Sequence, residues 1–251
     1  TSGFHNGDLI IVAGRPSMGK TALALTMMRN AAIEAKMKVG FFSLEMANYQ
    51  LAMRLLCAEA RVDSHQVRTG NLPKAHWKNL SLSVGPLADA PIYLDDSAAL
   101  TVLELRAKAR RLMAENNVDM IIVDYLQLMQ GPLGSENRQQ EISTISRSLK
   151  ALAKELNIPV IALSQLSRAV EQRAEKKPQL SDLRESGAIE QDADVVIFLY
   201  RPWVYTQDEE DVGKAEIIVA KQRNGPTGSA SATFISRFAK FENLSMDETP
   251  F

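Results

Sequence analysis

The chain has 251 residues, 45% hydrophobic and 24% charged, with 29 basic against 30 acidic residues and a net charge of −1. That length suits one large α/β domain spanning 1–251 better than two small ones. The balanced charge excludes a globally basic nucleic-acid binder, so any such contact must come from local patches. A single cysteine, Cys57, excludes an internal disulfide and fits a reducing cytosol, and the three histidines lack metal-ligand spacing. No apolar run nears the ~18 residues of a membrane span and no signal peptide opens the chain, so the expected location is cytoplasmic with no membrane contact. An initiator Met is missing, as in a piece of a longer protein.

Apolar, β-rich runs predict strands at 8–14 (DLIIVAG), 38–45 (KVGFFSLE), 91–96 (PIYLDD), 119–125 (DMIIVDY), 159–165 (PVIALSQ) and 194–201 (DVVIFLYR). Helix-period stretches separate them; the one at 101–115 opens on the capping box Thr101–Glu104. Continuous apolar strands alternating with helices predict a mostly parallel sheet covered on both faces. After residue 213 the pattern turns to EIIVAKQ, NGPTG, SASATFIS and FAKFE, which predicts a C-terminal antiparallel hairpin turning at Asn-Gly. The segments 129–138 and 168–187 read as long polar loops, which in compact domains are usually functional or disordered.

Residues 14–21, GRPSMGKT, match the P-loop pattern G-x-x-x-x-G-K-[ST] between an apolar strand and a helix-period run. Gly14, Arg15, Pro16, Ser17, Met18, Gly19, Lys20 and Thr21 are therefore the candidate nucleotide-binding residues. The glycines let backbone N–H groups face phosphate, Lys20 reaches the β- and γ-phosphates of ATP, and Thr21 is a ligand for Mg²⁺. The second Mg²⁺ ligand should be an acid ending a neighbouring strand. Asp124 follows four apolar residues, as a strand buried on both faces should read. Asp95 and Asp96 follow a proline-led run better suited to an edge, and spacing leaves both places open. Glu45 and Gln165 end strands where parallel sheets bind ligands, which suits a water-activating carboxylate and a γ-phosphate contact. Each equally suits a plainer role, Glu45 at the N-terminus of the next helix and Gln165 as a polar strand end.

In AKQRNGPTG (220–228), Lys221 and Arg223 stand two apart and so share one strand face. They read either as charges protecting an edge strand or as cations aimed at a phosphate. Residues 138–184 carry nine basic and five acidic side chains, a local excess of four, with Arg168 in the loop portion. Such a segment could line a channel for a polyanion, or in part be a solvated helix face at Arg147, Lys150 and Lys154. Sparse aromatics point to phosphate-led contact with little base stacking.

GRPSMGKT, FFSLEM (41–46), IIVDYLQLM (121–129), ISRSLKALAKELNIPVIALSQL (145–166), SDLRESGAIEQDAD (181–194) and AKQRNGPTG together resemble the RecA-like motor domain of bacterial replicative DNA helicases, the DnaB family. The resemblance implies a RecA-like P-loop NTPase that forms a ring hexamer of itself, hydrolyses ATP between subunits and moves 5′ to 3′ along single-stranded DNA. It implies Asp124 as the Mg²⁺ ligand, Glu45 as the catalytic carboxylate, Gln165 as a coupling residue, and Lys221 and Arg223 as catalytic cations reaching a neighbour's γ-phosphate. It places Arg184, Glu185 and Gly187 on the DNA backbone. The family's helical amino-terminal domain and linker helix would precede residue 1, and primase and a helicase loader are the partners implied for the full-length protein. A RecA/RadA-type recombination ATPase and a slow nucleotide-dependent switch or scaffold are the rival expectations.

If Arg184 meets a DNA phosphate, Arg184→Ala flattens the salt dependence of single-stranded DNA binding, leaving basal ATPase intact. The slope should fall by about one unit for each phosphate that Arg184 no longer neutralises. A salt titration by fluorescence anisotropy checks this; an unchanged slope removes Arg184 from the DNA path.

Overall fold

The computed structural model describes residues 2–131 and 137–244, apart from the side chains of residues 184–187. The strands are β1 (Leu9–Gly14), β2 (Val39–Ser43), β3 (Ile92–Asp95), β4 (Met120–Asp124), β5 (Val160–Gln165), β6 (Val195–Tyr200), β7 (Lys214–Gln222), β8 (Gly228–Ile235) and β9 (Lys240–Asn243). They form one nine-stranded sheet in the order β3-β2-β4-β5-β1-β6-β7-β8-β9. β3 through β6 in that order run parallel, and β7, β8 and β9 are added antiparallel.

The parallel strands are apolar without interruption because each faces two cores. In β1, Leu9, Ile11 and Ala13 pack into one core, Ile10 and Val12 into the other. β4 and β5 divide their side chains in the same alternating way. The helices are α1 (Lys20–Arg29), α2 (Asn48–Ala60), α3 (Ser64–Arg68), α4 (Lys74–Ala88), α5 (Val102–Asn116), α6 (Arg138–Leu156), α7 (Ala169–Gln172), α8 (Gly187–Asp192) and α9 (Trp203–Thr206). α5 and α6 cover the first core, α1 and α2 the second. α6 turns Ile142, Ile145, Leu149, Leu152 and Ala153 inward at three- and four-residue spacing. The capping box holds: Thr101 Oγ accepts from Glu104 N at 3.2 Å and the Glu104 carboxylate accepts from Thr101 N at 2.9 Å. α5 and α6 end on Asn117 and Asn157, both left-handed, the conformation asparagine tolerates at a helix end.

Three expectations shift. β2 stops at Ser43, two residues before Glu45, because Leu44 N makes the last ladder bond, to the Asp124 carbonyl, and Ser43 Oγ then accepts from Met46 N. The hairpin is present but wider than an Asn-Gly turn: β7 and β8 pair only from Lys214↔Thr233 to Val219↔Gly228. β7 is also not an edge. Its far end pairs with β6 through a bulge, Val196↔Lys221 following Ile197↔Val219, and the edges of the sheet are β3 and β9. Lys221 itself lies beyond the β7–β8 ladder and pairs on one side only, with Val196 of β6.

Ile122, in the middle of β4, is fully buried, whereas Leu103 on α5 is 76% exposed. Ile122→Ala should cost about 2–5 kcal/mol in urea unfolding, and Leu103→Ala should stay within about 0.5 kcal/mol of the parent.

Candidate active site

β1 ends at Gly14 and the chain curls through Ser17 (φ 66°) and Gly19 (φ 95°) before α1 starts at Lys20. Gly19 is required twice over: its φ is left-handed, and a Cβ there would sit 3.2 Å from the Phe241 ring. α1 has neither a side-chain cap nor an acidic residue in its first turn, so its leading N–H groups stay open to an anion. Arg201, just past β6, braces the loop from behind. Its Nη1 donates to the Ser17 carbonyl at 2.9 Å while its guanidinium lies 3.7 Å from the Phe234 ring centroid. This buried arginine was missed from sequence, although an arginine closing the apolar run DVVIFLYR at the same end of the sheet was the available signal.

Lys20 Nζ donates to the carbonyls of Gly14 (3.0 Å) and Arg15 (3.3 Å), and burial pulls its pKa down to about 8. Thr21 Oγ donates to Asp124 Oδ2 at 2.7 Å. Burial, with the charge of Glu45 nearby, outweighs the Thr21 bond and pushes the Asp124 pKa up to about 6. Lys20, Thr21, Asp124, Glu45 and Gln165 line one cavity of about 440 Å³, together with Pro16, Ser17, Gly19, Arg54, Phe234 and Phe238. Glu45 reaches it from the turn between β2 and α2, exposed to water. Asp95 instead pairs with Lys108 at 2.6 Å and Asp96 accepts from Asn48 N, so neither lines the cavity.

Two P-loop side chains turn away. Arg15 is buried against Glu171 (2.8 Å) and the Leu166 carbonyl (2.7 Å), and Met18 belongs to the core, so neither side chain lines the cavity. Lys221 and Arg223 do not line their own chain's cavity. Lys221 Nζ donates to the carbonyls of Glu190 and Ala193, Arg223 Nη2 donates to Gln191 O at 2.7 Å, and Arg223 Nε lies 3.4 Å from Asp194 Oδ1. Both cations sit on the C-terminal end of α8, where helix carbonyls attract positive charge.

Within 138–184 much of the basic excess is engaged internally. Arg138 pairs with Glu141, Lys150 with Asp194, Arg173 with Asp182 and Lys177 with Glu216. Lys150 thus serves the fold through Asp194 rather than through a pair along its own helix. Arg168 is exposed and makes no ion pair among the described residues. The side chains of Arg184, Glu185 and Gly187 lie outside the described residues.

The residues present fit a magnesium ion. Asp124 Oδ1 is buried with no hydrogen-bond partner, beside the Thr21 hydroxyl, and both are hard oxygen donors. The described residues hold no cluster of three acidic, histidine or cysteine ligands, so the remaining positions would fall to phosphate and water, as magnesium prefers.

The raised Asp124 pKa sets a pH test in chelator. Below about pH 4 both folded and unfolded chains carry it protonated and it imposes no penalty. As pH rises the unfolded carboxyl ionises first, and above the folded value near 6 the full penalty, about 3 kcal/mol, is present. Asp124→Asn should therefore raise unfolding free energy at pH 8 by up to about that amount, and the gain should fade toward pH 4. Urea titrations at both pH values check it.

Residues 1–243 match the family profile described as "DnaB-like helicase C terminal domain". "Replicative DNA helicase DnaB" of Geobacillus stearothermophilus is 56% identical over 245 residues, 97% of this chain and 54% of that protein. "Replicative DNA helicase DnaC" of Bacillus subtilis (strain 168) is 54% identical with the same coverage. The chain spans about half the length of the curated relatives it matches. Among solved structures, "The Structure Of A DnaB-Like Replicative Helicase And Its Interactions With Primase" superposes with a TM-score of 0.93 at 38% identity, covering 97% of this chain and 59% of that one. "ATPase Domain of G40P" gives 0.92 at 38% identity, covering 97% and 87%. With a matching profile along nearly its whole length, the chain belongs to the DnaB-like helicase C-terminal domain family.

Proposed function

We propose that this chain is the single ATPase domain, the motor portion, of a replicative DNA helicase, coupling ATP hydrolysis to 5′ to 3′ movement on single-stranded DNA and to duplex unwinding. It works in the cytoplasm as a ring hexamer, and the full-length protein meets primase and a helicase loader. One observation carries the proposal: in a member of this family, Lys20, Thr21, Asp124, Glu45 and Gln165 converge on one cavity at the carboxyl ends of β1, β2, β4 and β5.

The residues divide the work. Lys20 exchanges its two carbonyl partners for β- and γ-phosphate oxygens, and its pKa then recovers beside the anion. Thr21 and Asp124 would hold magnesium, which supplies charge neutralisation on the phosphates. Glu45, exposed at the cavity, orients and deprotonates the attacking water. Gln165 contacts the γ-phosphate. Lys221 and Arg223, facing away from their own cavity, serve the neighbouring subunit as fingers in trans. Arg168, Arg184, Glu185 and Gly187 follow the DNA backbone.

Lys20→Ala should lose tight ATP binding. Glu45→Gln should bind ATP and lose about 10²–10⁴ in kcat, and Arg223→Ala about 10³–10⁵. Mixed in equal amounts, Glu45→Gln and Arg223→Ala subunits should regain part of the parent ATPase, because about a quarter of randomly formed interfaces join an intact site to an intact finger. No regain despite demonstrated subunit exchange would mean that Arg223 serves its own chain.

A further inference from the structure

The β4–β5 ladder ends at Val123↔Ala162, three residues short of Gln165. β4 itself ends at Asp124 and the chain bends into a short 3-10 turn at Leu126–Leu128. Gln165 keeps Gly14 as its partner on the β1 side. On the β4 side its main chain is held by a side chain. Gln127 Oε1 accepts from Gln165 N at 3.1 Å, while Gln127 Nε2 donates to Gln165 O at 3.0 Å and to Ser164 Oγ at 2.9 Å. The carboxamide thus gives the N–H and the carbonyl of Gln165 the acceptor and the donor that a continued β4 would supply from two successive peptide groups. Gln127 is itself held: Arg138 donates to its carbonyl and pairs with Glu141, whose carboxylate accepts from Gly131 N at 2.7 Å.

We propose that Gln127 is a positioning residue for hydrolysis, whose amide replaces the missing stretch of β4 and fixes the main chain of Gln165 at the phosphate cavity. The inference rests on Gln165 contacting the γ-phosphate. The residue type follows from the chemistry. An amide offers a coplanar donor and acceptor, a carboxylate loses the donor and faces the Gln165 carbonyl, a thioether makes neither bond, and asparagine is one methylene short. Gln127 contacts no phosphate; it acts on turnover only through Gln165. Small displacements of a reacting contact cost large factors, so its effect belongs in kcat and not in nucleotide affinity.

The test is a double-mutant cycle on DNA-stimulated ATPase, with affinity read separately from a fluorescent ATP analogue. Gln127→Met should lower kcat about 10- to 100-fold with Kd and KM within about twofold of the parent. In the Gln165→Ala background the same change should lower kcat no further, since the residue it positions is gone. A merely structural role would instead give parent kcat at temperatures below the melt, or losses that multiply with those of Gln165→Ala; either result overturns the proposal. Parent kcat in Gln165→Ala alone overturns the reading of Gln165 and the inference with it, whereas a slow Gln165→Ala beside a normal Gln127→Met sinks the inference alone. If Gln127→Met does not fold, Ser164→Ala removes one acceptor and should lower kcat about threefold at unchanged Kd, no change counting against the proposal.

Discussion

Everything at the phosphate cavity depends on β1 being buried on both faces, every residue from Leu9 to Gly14 shielded from water. A strand clamped between two cores cannot shift to accommodate a ligand, so the loop that follows it is presented rather than adjusted. The supports around it act on that fixed point. Arg201 holds the Ser17 carbonyl, the Phe234 and Phe241 rings pack at a tilt behind Gly19, and Arg15 is fastened to Glu171 and Leu166. Preorganisation of this kind lets polar groups stabilise charge without reorganising when it arrives.

The same burial explains the electrostatics. Lys20 and Asp124 are both taken out of water, which disfavours the charged form of each. Their own attraction offsets this only in part, and the ligand-free site is left with a depressed amine and a raised carboxyl. Under the proposed function, a polyphosphate and a hard cation would supply the missing opposite charges. The groups that destabilise the ligand-free domain are thus those through which a ligand stabilises it, so binding and folding share a single source of free energy.

Much of the fold was legible because its signals are local. Strands facing two cores read as uninterrupted apolar runs, and the Thr101–Glu104 box marked a helix start to the residue. GRPSMGKT located the turn between β1 and α1. What escaped were contacts made by sequence-distant partners. Arg201 lies 184 positions from Ser17, and no pattern near Gln127 indicates that its amide will meet Gln165, 38 positions on. The β7 bulge was equally hidden, since it depends on how β6 and β7 come into register. Arg223 falls just past the end of β7, so it and Lys221 do not share a strand face as expected, and the α8 carbonyls that both reach went unforeseen.

Those carbonyls have an energetic consequence. Two cations resting on the C-terminal end of α8 are already solvated by the protein, so moving them toward another charge is an exchange of partners, not the capture of an idle one. α8 directly follows the 3-10 segment Leu180–Ser186, so the resting partners of both cations are carried on the same stretch of chain. The isolated protomer is in this sense self-quenched: its two cations already have a home, and under the proposed function a neighbour's phosphate would have to outcompete these carbonyls.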